Sequence, residues 1–301
     1  MITIRKEIKV KNLEENQIIL DIETTGLDSS VDFLVLLGFI ETKGDKSYSY
    51  QYFAIDDNEE ERLLRIYLKK IKDKKVITYN GDTFDLPFLN RRLLNYGLNP
   101  VFPNSLDLLK KVKGYRYYFD FPSLKLMDME KYLGFYRKDP SRYKTFSKLS
   151  DDLIKRDNPY PILKHNENDI IATELILGLE EIFTKKLTIT TRLTNLTLQR
   201  AYINNDIANL RFHIGKELPE SFFMGENYQL KASLNNVSID IQVLYGLLDG
   251  KNRGYITINN FDIKDLSGLK VDRHFLPIRN GRIYEYKNIL NLGKKIIENH
   301  F

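Results

Sequence analysis

The stretch Gln17-Ile18-Ile19-Leu20-Asp21-Ile22-Glu23-Thr24-Thr25-Gly26-Leu27 constrains the fold more than any other part of the chain. Side chains alternate across a strand, so Asp21 and Glu23 share a face. The flanking Ile18, Ile19, Leu20 and Ile22 mark a central, covered strand, and Gly26 breaks it in a turn. Two carboxylates held close together in such a strand repel each other and lose solvation. A divalent cation bound by oxygen, Mg²⁺ or Mn²⁺, relieves both penalties. The competing reading is an edge-strand acid pair that faces water.

The 301 residues suffice for two domains, each with its own core. Cysteine is absent, which removes disulfides, thiolate metal sites and thiol nucleophiles and fits a reducing cytoplasm. The four histidines, His165, His213, His274 and His300, are too few for a His-rich metal site. No apolar run is long enough to span a bilayer, and residues 1–7 alternate polar and apolar rather than forming a signal-peptide centre. The expectation is a cytoplasmic protein with no membrane partner.

The first 185 residues alternate strand and helix signals. Residues 33–41 and 47–55 read as a hairpin around Lys43-Gly44-Asp45. Leu63, Leu64, Tyr67, Leu68 and Ile71 stand at helical spacing within residues 59–72. Val76-Ile77-Thr78-Tyr79 is a short strand running into Asn80-Gly81-Asp82. A helix follows, with Asp85 before it, Pro87 in its first turn and Gly97 past its end. A last long helix is expected over residues 161–183. Beyond residue 186 the pattern changes: residues 238–244 and 253–259 alternate like strands, and residues 284–301 read as a closing helix. Residues 186–301 carry 16 Lys+Arg against 11 Asp+Glu, whereas the first 185 residues hold 30 of each. A basic excess suits a polyanion, and equally a solvated lysine-rich surface.

Four acids stand out in chain order: Asp21 and Glu23 in Asp-Ile-Glu-Thr-Thr-Gly-Leu, Asp85 in Asn-Gly-Asp-Thr-Phe-Asp-Leu-Pro-Phe-Leu, and Asp169 in His-Asn-Glu-Asn-Asp-Ile. This ordered set resembles the three motifs of the DEDD (DnaQ-like) superfamily of 3′–5′ exonucleases, over roughly residues 15–180. The segment from Ser123-Leu124-Lys125-Leu126 to Glu130-Lys131-Tyr132-Leu133-Gly134, followed by His165-Asn166, is similar to the YprB-like ribonuclease H-like exonuclease family within it. The resemblance implies an α/β fold. Its first part, residues 1–185, would be a ribonuclease H-like mixed sheet flanked by helices. A smaller C-terminal β-rich domain with a closing helix would occupy residues 186–301. It also implies a metal-dependent 3′–5′ exonuclease acting on single-stranded DNA or RNA. Asp21, Glu23, Asp85 and Asp169 would bind two Mg²⁺ or Mn²⁺ ions, and His165 would be the general base. The superfamily's His-type branch places the His five residues before the last Asp and its Tyr-type branch places a Tyr four before; here His165 occupies the four-before position. The alternative function is a non-catalytic nucleic-acid-binding module that retains the fold.

The chemistry of phosphodiester hydrolysis calls for the same residues. Phosphodiester hydrolysis needs a nucleophile activated near neutral pH and charge stabilisation at the attacking and leaving oxygens, which two metal ions held by converging carboxylates supply. His165 lies four residues before Asp169, on the same face of a helix, and imidazole titrates near working pH. Each residue also has a plainer reading. Asp85 is a good helix N-cap ahead of Pro87, Asp82 is a turn acid that competes for the metal role, and Asp107 reads as a cap or turn acid, or as a site residue, since it falls where the resembled family often keeps an Asp. His165 alone reads as a partly buried structural histidine. Asn80 either orients Asp85 or a water, or only closes its turn. The run Lys110–Phe119 interleaves bases and aromatics as a strand-tracking groove does, or as a loop with rings tucked into a core. Arg137, Lys138, Arg142 and Lys144 form a second basic cluster that reads equally as solvated surface.

Overall fold

The strand that carries the two acids, β2 (Gln17–Thr24), lies inside a six-stranded mixed sheet in a computed structural model that describes residues 1–137 and 146–301. Its companions are β1 (Ile2–Ile8), β3 (Leu34–Lys43), β4 (Lys46–Phe53), β5 (Lys75–Thr78) and β6 (Ser105–Asp107), in the order β1-β4-β3-β2-β5-β6. The pairs β1–β4, β4–β3 and β3–β2 are antiparallel, whereas β2–β5 and β5–β6 are parallel. Helices α1 (Glu60–Ile71) and α2 (Asp85–Asn95) follow the apolar spacing of their sequences and cover one face. There Ile18, Leu20 and Ile22 meet Leu63, Leu64, Tyr67, Leu89 and Leu93. Each fully buried aliphatic side chain in such a layer stabilises the fold by ~1.5–3 kcal/mol.

The opposite face is covered by α5 (Phe146–Lys155) and α6 (Pro159–Leu177), where Val35, Leu36 and Phe53 pack with Leu149, Leu153 and Ile162. Two shorter helices, α3 (Leu108–Tyr115) and α4 (Leu126–Tyr132), precede them. The expected long helix over residues 161–183 is instead two: α6 stops at Leu177, and α7 (Leu179–Lys186) starts after Gly178. A side chain far away in sequence crowds this junction. A Cβ at residue 178 would come within 2.6 Å of Oδ1 of Asn12, whose Nδ2 donates to the Glu174 carbonyl at 3.1 Å.

The chain divides into two units. One comprises Met1–Gly114 and Phe121–Glu180, the other Tyr115–Asp120 and Glu181–Phe301. The second is β-rich. One antiparallel sheet, ordered β10-β9-β8-β7, contains β7 (Thr188–Thr190), β8 (Asn195–Asn204), β9 (Ile207–Met224) and β10 (Tyr228–Gln242). The other runs β11 (Leu244–Leu247), β12 (Arg253–Ile258), β13 (Phe275–Asn280) and β14 (Ile283–Tyr284). Helix α8 (Tyr286–His300) closes the unit and buries Ile289, Leu292, Ile296 and Ile297. Gly293 lets the Phe212 ring approach, since a Cβ there would lie 2.7 Å from it.

Two of the aromatic residues of the 110–119 run are tucked into a core, while Tyr117 is exposed. Tyr118 and Phe119 are buried, Phe119 stacks on Phe183 at 4.6 Å, and the Tyr118 hydroxyl accepts the Ala201 N–H at 2.7 Å. Lys138, Arg142 and Lys144 of the second basic cluster lie outside the described residues. Among the described residues, no helix is long and apolar enough to cross a membrane.

Candidate metal centre

Strand β2 presents Asp21 and Glu23 on one face, as its alternation requires. Its pairing with β5 ends at Ile19, and farther on the Ile22 N–H donates to Oδ1 of Asp85 at 3.3 Å. Asp85 is the first residue of α2, whose N-cap is Phe84 with no side-chain cap hydrogen bond. Its carboxyl therefore reaches back to β2 instead of filling the N-cap position. On α6, His165 and Asp169 stand one turn apart, with Nε2 of His165 3.6 Å from Oδ2 of Asp169. Glu23, His165 and Asp169 each offer a ligand atom, and the three atoms lie within 4.8 Å of one another.

Electrostatics ties Asp21 and Asp85 to the same place. Burial pushes the Asp21 carboxyl well above the usual carboxylate range; the negative charges of Asp169, Asp85 and Glu23 push it further, against a hydrogen bond from Asn166. Burial raises Asp85 to about 7, opposed by backbone N–H groups and reinforced by Asp107 and Asp169. The structure thus gathers Asp21, Glu23, Asp85, His165 and Asp169 at the C-terminal end of β2. Carboxylates beside an imidazole are donors of the kind a hard divalent cation takes. Their mutual repulsion is the cost that such a cation would remove.

A second layer positions the acids. Asn166, fully buried on α6, donates from Nδ2 to Oδ2 of Asp21 at 2.8 Å and accepts from Nε2 of Gln51 at 3.0 Å. Gln51 also donates to the Leu163 carbonyl at 2.7 Å. Asp21, Gly38 and Gln51 are register neighbours across β2, β3 and β4. Gly38 makes room for the amide, because a Cβ there would lie 2.1 Å from Oδ1 of Asn166. Among the described residues, Arg137 brings a cation to the cluster: it pairs with Asp169 and with the fully buried Glu130, its Nε 2.7 Å from Oε2 of Glu130.

The remaining sequence candidates have local duties. Asp82 accepts from Ser105 Oγ at 2.8 Å and Lys110 Nζ at 2.6 Å, and the lysine holds its carboxyl below the usual range. Asp107 accepts the N–H groups of Asn80 at 2.9 Å and Leu109 at 3.0 Å, as a cap and turn acid, while adding to the charge felt by Asp85. Asn80 closes its turn: it has φ +72°, and its carbonyl accepts from Thr83 and Phe84. The roles of Asn166, Gly38, Gln51 and Arg137 escape sequence reasoning. The one signal was the Asn that follows His165 in the resembled motif.

A family model described as RNase_H superfamily matches residues 18–179. A DNA polymerase III PolC-type of Ureaplasma parvum serovar 3 is 29% identical over 126 residues, an alignment covering 34% of this chain and 9% of that protein. The chain therefore spans less than a tenth of that curated relative's length. Among solved structures, the family B DNA polymerase from the hyperthermophilic archaeon Pyrobaculum calidifontis aligns with a TM-score of 0.42 and 18% identity, over 55% of this chain and 24% of that one.

Proposed function

Because the chain belongs to the RNase H superfamily, we propose that it is a metal-dependent nuclease, a 3′–5′ exonuclease that hydrolyses single-stranded DNA or RNA with two Mg²⁺ or Mn²⁺ ions. The observation that carries this reading is the convergence of carboxylates from β2, α2 and α6, where burial and neighbouring negative charge raise the proton affinity of Asp21 and Asp85. Such repulsion is tolerated in a fold when a cation resolves it. The direction of attack, and a place in the YprB-like family, rest on the resemblance of the motif segments. The similarity to a PolC-type polymerase, short as it is, supports nucleic acid as the substrate class.

In this reading Asp21, Glu23, Asp85 and Asp169 would hold the metal ions, which when bound would supply Lewis acidity for phosphodiester hydrolysis. The chain's own groups do the rest. His165 takes a proton from the attacking water as the new O–P bond forms and the bond to the leaving 3′ oxygen breaks. Asp169, 3.6 Å from Nε2 of His165, stabilises the resulting imidazolium. Asn166 fixes the orientation of Asp21. The chemistry belongs to the first unit, with the β-rich second unit as an accessory domain.

The test is single-turnover degradation of labelled single-stranded DNA and RNA with Mn²⁺, comparing the wild type with Asp21→Ala. Loss of degradation in the variant is expected. Equal degradation by both proteins removes the assignment.

A further inference from the structure

Outside the acid cluster, the most distinctive feature is a groove of about 910 Å³ on the β7–β10 sheet of the second unit. Its lining includes Arg200, Arg211 and Lys231, the exposed ring of Phe222, and a single acid, Glu220. Arg200 on β8 and Arg211 on β9 are direct cross-strand partners. Like charges in that position destabilise a sheet. No acid offsets them: among the described residues, no acidic side chain forms an ion pair with Arg200, Arg211 or Lys231, and Arg200 has only an aromatic neighbour, its guanidinium 5.0 Å from the centre of the Tyr202 ring. Lys231 instead sits 5.7 Å from the centre of the Phe222 ring, its register partner across β10 and β9.

The backbone is shaped to this groove. The β9–β10 hairpin carries two register shifts, between Ala232 and Leu234 and between Leu234 and Asn236, and Leu234 adopts φ +52°. Bulges bend a strand pair. Here the bend brings Phe222 and Lys231 to line the same groove as the two arginines. A concave face that pairs uncompensated cations with an exposed aromatic ring suits phosphates spaced along a chain of unpaired bases, since the cations meet the phosphates and the ring stacks on a base. An acidic peptide would use the cations and leave Phe222 idle, and a duplex offers no free base to stack.

We infer that this sheet face binds single-stranded nucleic acid, using Arg200, Arg211 and Lys231 for phosphates and Phe222 for a base. The inference stands apart from the nuclease reading, because the groove lies wholly within the second unit and binding there needs no metal. The experiment measures fluorescence anisotropy of a labelled oligothymidylate with the full chain in EDTA, over a salt series. The Arg200→Gln/Arg211→Gln/Lys231→Gln variant should bind roughly tenfold or more weakly and lose about two from the slope of log affinity against log salt. Phe222→Ala should weaken binding roughly fivefold or more, with an unchanged slope. All four side chains are exposed, and a thermal melt checks that each variant stays folded. Polyglutamate at matched charge should fail to displace the oligonucleotide. Wild-type affinity in both variants, or displacement by polyglutamate as effective as by unlabelled oligonucleotide, overturns the inference. Either result leaves the Asp21→Ala hydrolysis test unaffected, so the two readings fail separately.

Discussion

Replacing Gly38 by alanine probes the link between sheet, helix and acid cluster with one methyl group. The added Cβ would lie 2.1 Å from Oδ1 and 2.8 Å from Cγ and Nδ2 of Asn166. Ordinary carbon contacts start near ~3.5 Å, so either α6 recedes by roughly 1 Å or the buried amide leaves its place. Overpacking of this kind costs ~1–3 kcal/mol. Loss of the buried hydrogen bonds to Gln51 and Asp21 adds ~1–3 kcal/mol. A total of about 3 kcal/mol corresponds to a fall in Tm of roughly 6–12 °C for a unit of this size. His165 and Asp169 ride on α6 on either side of Asn166. A displacement of ~1 Å there should lower the single-turnover rate by about 100-fold. Thermal melts and single-turnover hydrolysis with Mn²⁺ measure the two effects. Adding Asn166→Ala to Gly38→Ala should recover much of the Tm, because the clash is gone, and none of the rate, because Asp21 stays unsupported. A Gly38→Ala protein within about 1 °C and twofold of the wild type would refute the reasoning.

Three other outcomes are expected. In EDTA, Asp21→Asn should melt above the wild type, because it removes charge repulsion while keeping an acceptor for Asn166; saturating Mn²⁺ should raise the wild-type Tm and leave the variant's nearly unmoved. Arg92→Met should destabilise the first unit by ~3–5 kcal/mol in urea titration, since it strands Glu60, a fully buried carboxylate now held by a two-pronged pair at 2.6 and 2.7 Å. Glu285→Gln should raise Tm at pH 8 and leave it unchanged at pH 4. Burial and the charge of Asp265, opposed by Lys287, lift Glu285 from 4.5 to about 7, so the fold disfavours its ionised form, a penalty that is absent at low pH and complete above about 7. A Tm gain that is equal at both pH values would remove that account.

The sequence was legible where local pattern and tertiary need agree. Alternation around Asp21 and Glu23 told which residues share a face, and the apolar spacing of residues 59–72 matched α1 to within a residue or so. The Lys43-Gly44-Asp45 turn located the β3–β4 hairpin, with Gly44 at φ +56°. It was illegible where a distant residue decides. The apolar spacing of α6 runs on through Gly178, where the Asn12 side chain leaves no room for a Cβ. Asp85 carries every local mark of an N-cap, yet it answers the N–H of Ile22, because β5 stops pairing with β2 at Ile19. Arg137 looked like one more surface base until Glu130 and Asp169 closed around it. The long β9–β10 hairpin hides behind Gly215, Lys216, Glu217 and Pro219, which interrupt its alternation.

The short segment Tyr115–Asp120 has a practical consequence. It belongs to the second unit although first-unit sequence surrounds it, and it is stitched there by Phe119 on Phe183 and by the Tyr284 N–H donating to the Tyr117 carbonyl at 2.7 Å. No single cut can therefore yield two intact halves. A fragment ending near residue 180 would expose orphaned rings, and one starting near residue 181 would lack a piece of its own interior. During synthesis, the second unit must wait for its final strands while six of its residues have already left the ribosome. Anyone dividing this protein for expression should treat it as one indivisible gene product, or graft that hexapeptide onto the later fragment.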